Sequence, residues 1–262
     1  MRNALIGHSG FIGSSLKKQI FFNFIYRKNT IHSIQNEKFD NVICAGAPGQ
    51  KWLANKKPTE DLKNINYLIK NLKTIKTKNF ILISTVDIFK NPINVDENSE
   101  PQINQLHPYG IHRLKLETFV RNNFKNYLIV RLPGLVGKGL KKNIIYDLLN
   151  ENNLSLIDSR SIFQFYPIKN LWNDIIIALN HNLTLIHLTS TPMKVEEISK
   201  IGFNKLFVNK INKIAPKYDF KTIHAKLYKN NLNYQYNKDE IFQAIKYYAQ
   251  NEPKNYKNLN KS

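Results

Sequence analysis

The feature that most constrains the fold is a glycine-rich turn directly after the first apolar run. Residues Asn3–Ile6 have the length and character of a short strand, and Gly7, Gly10 and Gly13 follow at intervals of three. A strand, a glycine turn and a helix in this order are typical of dinucleotide-binding folds, in which N–H groups at the helix start meet a pyrophosphate. The alternative is a glycine-rich turn with a structural role only.

Apolar runs of strand length alternate with amphipathic stretches of helix length across the first half of the chain. The predicted strands are Asn3–Ile6, Phe22–Tyr26, Asn41–Cys44, Phe80–Ser84 and Tyr127–Arg131, and the predicted helices lie near Phe11–Asn23, Thr59–Thr77 and Pro108–Phe124. This alternation is typical of a parallel sheet covered by helices. We therefore predict an α/β fold with a doubly wound, Rossmann-like parallel sheet, because such crossovers are right-handed.

The pattern changes after Pro133, which predicts a small C-terminal substrate lobe packed on the same domain. We place the dinucleotide-binding core at residues 1–135 and the lobe with the C-terminal elements at residues 136–262. In this second part we expect a helix near Asn143–Asn150, a strand near Leu183–Leu188, a helix opening at Thr191-Pro192 and a helix near Lys238–Gln250.

Composition narrows the partners and the compartment. The formal charge is +20, but the lysines are spread among asparagines along the whole chain. This distribution favours a solvated basic surface over a nucleic-acid footprint, which remains a third hypothesis. Cys44 is the only cysteine, so we expect a buried thiol and no metal cluster. With no apolar run near ~20 residues and no export signal at the start, we expect a cytoplasmic protein without a membrane partner.

Three further segments, read with the glycine turn, resemble the extended short-chain dehydrogenase/reductase family. Its nucleotide-sugar epimerases, dehydratases and 4-keto-sugar reductases are the most similar members. The segments are Ser84–Phe89 (STVDIF), Tyr109–Glu117 (YGIHRLKLE) and Arg131–Gly137 (RLPGLVG). Together with Asn64, they extend the resemblance over residues 1 to about 140, and Phe165–Ile168 continues it.

The resemblance implies a reaction and a set of site residues. Tyr109 would exchange a proton with a carbinol or carbonyl oxygen while a nicotinamide moves a hydride, and Thr85 would bind the same oxygen. The catalytic set is Thr85, Tyr109, Arg113 and Asn64. The cofactor-binding set is Gly7, His8, Ser9, Gly10, Phe11, Ile12, Gly13, Arg27, Lys28, Ala45, Arg113 and Pro133. The substrate, expected to be a sugar or sugar nucleotide, would meet Thr85, Tyr109, Gly134, Arg160 and Gln164, and the family favours a homodimer.

Two basic residues after the second predicted strand bear on the choice of cofactor. An acid at this place binds the free 2′-hydroxyl of NAD, and a base accommodates the 2′-phosphate of NADP. Here Arg27 and Lys28 follow Tyr26. This favours NADP over NAD, with a plain pair of surface bases as the alternative.

Arg113 departs from the family, which has lysine four residues after the tyrosine. Arginine supplies a permanent charge but cannot release a proton, so a relay through a neutral lysine is not available. Two hypotheses follow: an active enzyme, which we favour, or a silent NAD(P)-binding sensor. A simple i,i+4 pair of Arg113 with Glu117 is a further interpretation. His107 and His112 are expected to be surface or capping groups.

Overall fold

A computed structural model describes residues 1–229 and 233–255 of the chain. Its strands are β1 (Asn3–Ile6), β2 (Phe24–Tyr26), β3 (Lys38–Cys44), β4 (Lys76–Thr85), β5 (Ile93–Val95), β6 (Tyr127–Leu132), β7 (Gly134–Val136), β8 (Ile162–Phe163), β9 (Phe165–Pro167), β10 (Leu185–His187), β11 (Met193–Lys194) and β12 (Asp219–Phe220). Its helices are α1 (Phe11–Gln19), α2 (Lys51–Lys56), α3 (Pro58–Leu72), α4 (Pro108–Asn123), α5 (Ile144–Asn150), α6 (Leu171–Asn180), α7 (Val195–Glu197) and α8 (Lys238–Asn251).

Six parallel strands form the central sheet in the order β10-β6-β4-β3-β1-β2. This confirms the predicted doubly wound α/β fold. The order reverses at β1 and β3, so the topological switch point lies between these two strands. In open α/β sheets, ligands bind in the crevice beyond the carboxyl ends of the strands at this point. Gly7 follows β1 there, and Ala45 follows β3.

The sheet is buried on both faces because its strands are nearly continuous apolar runs. Phe80–Ile83 of β4 are all buried, although successive side chains of a strand point to opposite faces. On one face α3 and α4 supply side chains at helical spacing, which are Ile65, Leu68, Ile69, Leu72, Leu116, Phe119 and Val120. Burying each such side chain contributes about 1.5–3 kcal/mol. The stacked rings of Phe80 and Phe124, with centroids 4.1 Å apart, close this core.

The five strands predicted in the first half are all present, as β1, β2, β3, β4 and β6. The short strands β5, β7, β8, β9, β11 and β12 were not predicted. The strand expected near Leu183–Leu188 is β10, and its assignment to the C-terminal lobe was wrong. It pairs in parallel with β6 at the edge of the central sheet. The helices α2 and α6 were missed. Gln50 before α2 offers no side-chain cap, and the run Ile175–Ile177 in α6 also fits a buried strand when read from the sequence alone.

The chain divides into two compact units. Unit 1 comprises residues 1–90, 97–132 and 169–187 and contains the central sheet. Unit 2 comprises residues 91–96, 133–168 and the described residues from 188 onward, with three two-stranded sheets that pair β5 with β12, β7 with β9 and β8 with β11. The boundary at residue 135 stays a prediction, and the structure adds residues 169–187 to unit 1. None of the described helices is long and apolar enough to cross a membrane.

A buried ion pair ties α4 to the carboxyl ends of the central strands. Glu117 is fully buried and accepts hydrogen bonds from Arg131 Nη2 at 2.8 Å and Nε at 3.1 Å. The Ser84 hydroxyl donates to the same carboxylate at 2.6 Å. Arg131 also lies 3.1 Å from His187 Nε2. The contacts therefore join β4, β6, β10 and α4 at the edge where ligands bind in this fold.

We predict that Glu117→Gln destabilises the protein by about 3–5 kcal/mol, because Arg131 is left as a buried charge without its counterion. The matched control is Glu60→Gln, which removes an exposed pair with Lys57 at 3.4 Å. Such exposed pairs contribute at most about 1 kcal/mol. Urea unfolding measures both, and equal losses in the two variants would contradict the prediction.

Candidate active site

The glycine turn presses the backbone of α1 against the ends of β1 and β3. Gly7 has φ +86° and donates its N–H to Tyr26 O at 2.8 Å. A Cβ on Gly7 would lie 2.3 Å from Ala45 O, and a Cβ on Gly13 would lie 2.2 Å from Gly7 O. Only glycine fits at these two positions. Gly10 differs, because a Cβ there would meet Gly7 O at an ordinary 3.4 Å.

The start of α1 is suited to an anion. Its N-cap is Gly10, which offers no side-chain cap, and its first turn holds no acidic residue. Uncapped N–H groups at a helix start carry partial positive charge and favour phosphate. The neighbouring His8 has its pKa lowered by partial burial, by Lys17 and by Arg27. Residues 8–12 of the turn are half-buried or exposed, so an anion can reach them. The nearby positive groups are the N–H groups at the start of α1 and the side chains of Lys17 and Arg27.

The two basic residues after β2 lie beside this turn. Arg27 and Lys28 are exposed and follow Tyr26, whose carbonyl accepts the N–H of Gly7. The hydroxyl of Thr30 accepts the Arg27 N–H at 3.0 Å and shapes the loop. The sequence-predicted phosphate turn and the basic pair are therefore neighbours.

Thr85 and Tyr109 come together from two elements. Thr85 ends β4, and Tyr109 lies in the first turn of α4. Tyr109 lies close to the side chains of Thr85 and Arg113, both of which act to lower its pKa. Tyr109 is only 6% exposed, and burial raises its pKa although Arg113 acts in the opposite direction.

Three contacts fix the start of α4 against the end of β4. A Cβ on Gly110 would lie 2.6 Å from Asp87 O, so this glycine allows the helix to approach the loop. Asn55 Oδ1 accepts the Tyr109 N–H at 3.0 Å, and His107 Nδ1 accepts the Gly110 N–H at 3.0 Å. His107 is thus a capping group, as expected. Asn55 was missed because nothing in the sequence predicted α2.

Arg113 is held by an acid that sequence reasoning also missed. Its Nη1 and Nη2 donate to Asp61 Oδ2 at 2.8 Å and Oδ1 at 2.9 Å, and Nη2 also contacts Pro48 O. The guanidinium carbon lies 4.3 Å from the centre of the Tyr109 ring. The i,i+4 pair with Glu117 was wrong, because Glu117 binds Arg131 instead. Asp61, in the first turn of α3, resembles an ordinary helix-dipole acid in the sequence.

His112 completes the cluster around Asp61. Its Nδ1 lies 2.7 Å from Asp61 Oδ2, and the histidine is buried, so a surface or capping role was wrong for this residue. The pKa of Asp61 is lowered, because the hydrogen bonds and charges of Arg113 and His112 outweigh the opposing effect of its burial. Asn64 lies half-buried on α3, one turn after Asp61.

The predicted substrate residues of unit 2 are engaged in contacts within that unit. The Gln164 carboxamide bonds both the N–H of Phe220 at 2.8 Å and its carbonyl at 2.9 Å. Arg160 pairs with Asp158 at 2.7 Å. Gly134 packs where a Cβ would lie 2.8 Å from the Phe165 ring. Their roles toward a substrate, and that of half-buried Pro133 toward a cofactor, stay predictions.

The residues of unit 1 fit a nicotinamide dinucleotide on two observations. The backbone cradle of Gly7 and Gly13 lies at the switch point, where side chains at either position would collide. Arg113 Nε is buried and has no hydrogen-bond partner among the described residues, so it can donate to a ligand oxygen. Pyrophosphate and ribose hydroxyls are acceptors of the required kind.

No family model and no curated protein matches the sequence. Among solved structures, the UDP-glucose 4-epimerase of Thermotoga maritima, solved with UDP-glucose, is 16% identical with TM-score 0.73, over 95% of this chain and 98% of that one. RMD from Pseudomonas aeruginosa, complexed with NADPH, is 16% identical with TM-score 0.71, over 95% and 99%. The dTDP-4-dehydrorhamnose reductase of Yersinia enterocolitica is 18% identical with TM-score 0.72, over 95% and 99%. The chain therefore has the fold of these epimerases and reductases, which confirms the resemblance at the level of fold.

We predict opposite outcomes for alanine at two glycines of the turn. Gly13→Ala should destabilise the protein, since its Cβ would meet Gly7 O at 2.2 Å, and backbone rearrangements of this kind cost about 1–3 kcal/mol. Gly10→Ala should fold normally because its Cβ has ordinary contacts. Thermal unfolding tests both, and a normal melting temperature for Gly13→Ala would contradict the geometry.

Proposed function

We propose that the protein is an NAD(P)-dependent oxidoreductase or epimerase acting on the carbonyl or carbinol of a sugar or sugar nucleotide. One observation carries the proposal: the side chains of Thr85, Tyr109 and Arg113 lie close together at the carboxyl edge of a sheet whose switch point holds a glycine cradle. Gly7, Ala45 and Thr85 belong to the ends of neighbouring strands β1, β3 and β4. Dinucleotide and reacting groups then share one edge.

The groups proposed to hold the cofactor carry positive or partial positive charge, which suits the negative phosphates of a dinucleotide. The uncapped start of α1 binds the pyrophosphate, and Arg27 with Lys28 binds a 2′-phosphate, which favours NADP over NAD. When bound, the nicotinamide supplies or accepts a hydride. The NADPH complex of the similar RMD structure supports this class of cofactor.

Each residue around Tyr109 has a chemical role in the proposal. Tyr109 exchanges its phenolic proton with the substrate oxygen, and Thr85 hydrogen-bonds the same oxygen and orients it. Arg113 cannot give up a proton, so it acts as a fixed donor and charge. The Asn55 side chain accepts the Tyr109 N–H, and Gly110 lets the start of α4 approach the loop after β4, so both hold Tyr109 in position.

The substrate class rests on similarity to proteins of known kind. The Thermotoga structure contains UDP-glucose, and the Yersinia protein is named for a dTDP-linked keto sugar. We extend a sugar-nucleotide substrate to this chain on that basis. Contacts from Asn64, Gly134, Arg160 and Gln164 belong to the same proposal.

A second candidate function is an NAD(P)-binding sensor without turnover. It is favoured by the arginine in place of lysine and by the engagement of that arginine with Asp61. The glycine cradle serves both functions equally. Turnover alone separates them, because Tyr109→Phe should abolish a reaction while leaving cofactor affinity nearly unchanged.

The cofactor prediction is tested by fluorescence titration with NADPH and NADH. The double variant Arg27→Ala/Lys28→Ala should weaken NADPH binding by at least about 10-fold, because even one charged hydrogen bond contributes about 1.5–3 kcal/mol. NADH, which lacks the 2′-phosphate, should bind almost as before. The matched control, Lys38→Ala/Lys76→Ala, removes two exposed lysines at the start of β3 and β4.

This control should leave both affinities unchanged. Failure of the wild-type protein to bind either nucleotide would remove the enzyme and the sensor together. Equal loss of NADPH and NADH affinity in the double variant would contradict the assignment of the basic pair to a 2′-phosphate.

A further inference from the structure

Tyr109 faces a compensated charge rather than a free one. Arg113 is 3% exposed and Asp61 is 5% exposed, and the carboxylate is bonded by both terminal nitrogens of the guanidinium. The guanidinium lies over the face of the Tyr109 ring at 4.3 Å. The positive charge nearest the tyrosine is therefore matched by a negative charge in the same buried pair.

This pairing matters because a tyrosine needs an uncompensated positive charge to ionise near neutral pH. An ion pair acts at a distance as a dipole, so its field is much weaker than that of a lone cation. Burial further disfavours the phenolate, and the pKa of Tyr109 is raised in spite of Arg113. Burial is the main cause of this raised pKa, Asp87 adds to it, and the inference about Asp61 rests on the geometry of its pair with Arg113.

The other charged groups around Tyr109 do not supply the uncompensated positive charge that would favour its ionised form. The groups next to it are Asp87 after β4, His107 at the cap and Arg113 of α4. Two of them have a charged partner nearby: Lys51 of α2 pairs with Asp87, and Asp61 of α3 pairs with Arg113 and contacts His112. Lys51 is paired with Asp87 at 2.7 Å, and Asp87 itself raises the pKa of Tyr109. His107 accepts a backbone hydrogen bond, and burial and Lys51 lower its pKa, which favours the neutral form.

We propose that the Asp61–Arg113 ion pair keeps Tyr109 as a proton donor, so that the site reduces a carbonyl substrate rather than oxidising a carbinol. This inference rests on the proposed function and narrows it to a reductase for a keto sugar or keto sugar nucleotide. Asp61 is a positioning residue in it, because it acts through Arg113.

The proposed reduction requires a reduced nicotinamide, Tyr109 and a proton from solvent. The carbonyl carbon gains a hydride from the reduced nicotinamide, the π pair of the C=O bond moves to oxygen, and this oxygen takes the proton of Tyr109. The tyrosinate then regains a proton from solvent. Epimerisation through a keto intermediate would instead need Tyr109 to remove a proton first, as a phenolate.

The ionisation of Tyr109 can be measured directly, without cofactor or substrate. The full-length protein, labelled with tyrosine that carries ¹³C at Cζ, is titrated by NMR between pH 6 and 11. The chain has 13 tyrosines, and the signal lost in Tyr109→Phe identifies the relevant one. We expect the wild-type signal to stay in its protonated position up to pH 10.

Two variants should move the midpoint in opposite directions, which general structural damage would not do. Asp61→Asn leaves Arg113 uncompensated and should lower the midpoint of Tyr109 by at least one pH unit. Arg113→Gln should raise it or remove ionisation from the range. The control, Asp40→Asn, loses an acid paired with Lys78 at 2.7 Å at the start of β3 and should change nothing. If the Asp61→Asn variant does not fold, Asp61→Ser is measured in its place.

A wild-type midpoint below pH 10, or no downward shift in either Asp61 variant, would overturn the inference. A second measurement uses dTDP-4-dehydrorhamnose with NADPH and UDP-glucose with NADP. We expect reduction of the first and no oxidation of the second below pH 9. Oxidation of UDP-glucose at a comparable rate would refute the reductive direction and leave the enzyme proposal intact. Absence of cofactor binding would refute the proposed function itself.

Discussion

The close approach of backbone to backbone at the switch point is the constraint on which the rest of the structure depends. Gly7 passes Ala45, and Gly13 passes Gly7, at distances that leave no room for a Cβ. The helix α1 can therefore begin right at the ends of β1 and β3, with its uncapped N–H groups over the crevice. The order of the parallel strands then brings the ends of β3 and β4 beside this crevice. One steric requirement thus determines both how the first helix packs on the sheet and where a phosphate can bind.

Two buried ion pairs each have one partner on α4, and the two pairs have different roles. Glu117 joins Arg131 and Ser84 and fastens the helix to the sheet. Asp61 of α3 pairs with Arg113, which lies four residues before Glu117 on α4 and next to Tyr109, the candidate proton donor. Buried pairs add little net stability, because desolvation offsets most of the attraction, but removal of one partner is costly. Both pairs therefore act mainly to impose a geometry, and only the second one affects the chemistry of a neighbouring side chain.

The sequence predicted the parts of the site that have a local pattern. The glycine turn lies between β1 and α1, the Ser84–Phe89 segment lies at the end of β4 and Tyr109 lies on a helix, as predicted, because each pattern is formed by residues close together in the chain. Asp61 and Asn55 were not foreseen, since their importance arises from contacts with residues 113 and 109 across the fold. The edge strand β10 was assigned to the wrong region for the same reason, because the short sequence Leu185–His187 does not indicate which sheet it joins. Long-range partners are set by topology, which a single sequence shows only indirectly.

The unpartnered Nε of Arg113 has a consequence for the stability of the free protein. A buried donor without an acceptor costs about 1–3 kcal/mol, a penalty that the fold carries as long as no oxygen reaches this nitrogen. A molecule that presents such an oxygen removes the penalty in addition to forming its own contacts. Satisfying this nitrogen therefore distinguishes among ligands of similar size. Those with a suitably placed hydroxyl gain over those with only apolar surface there.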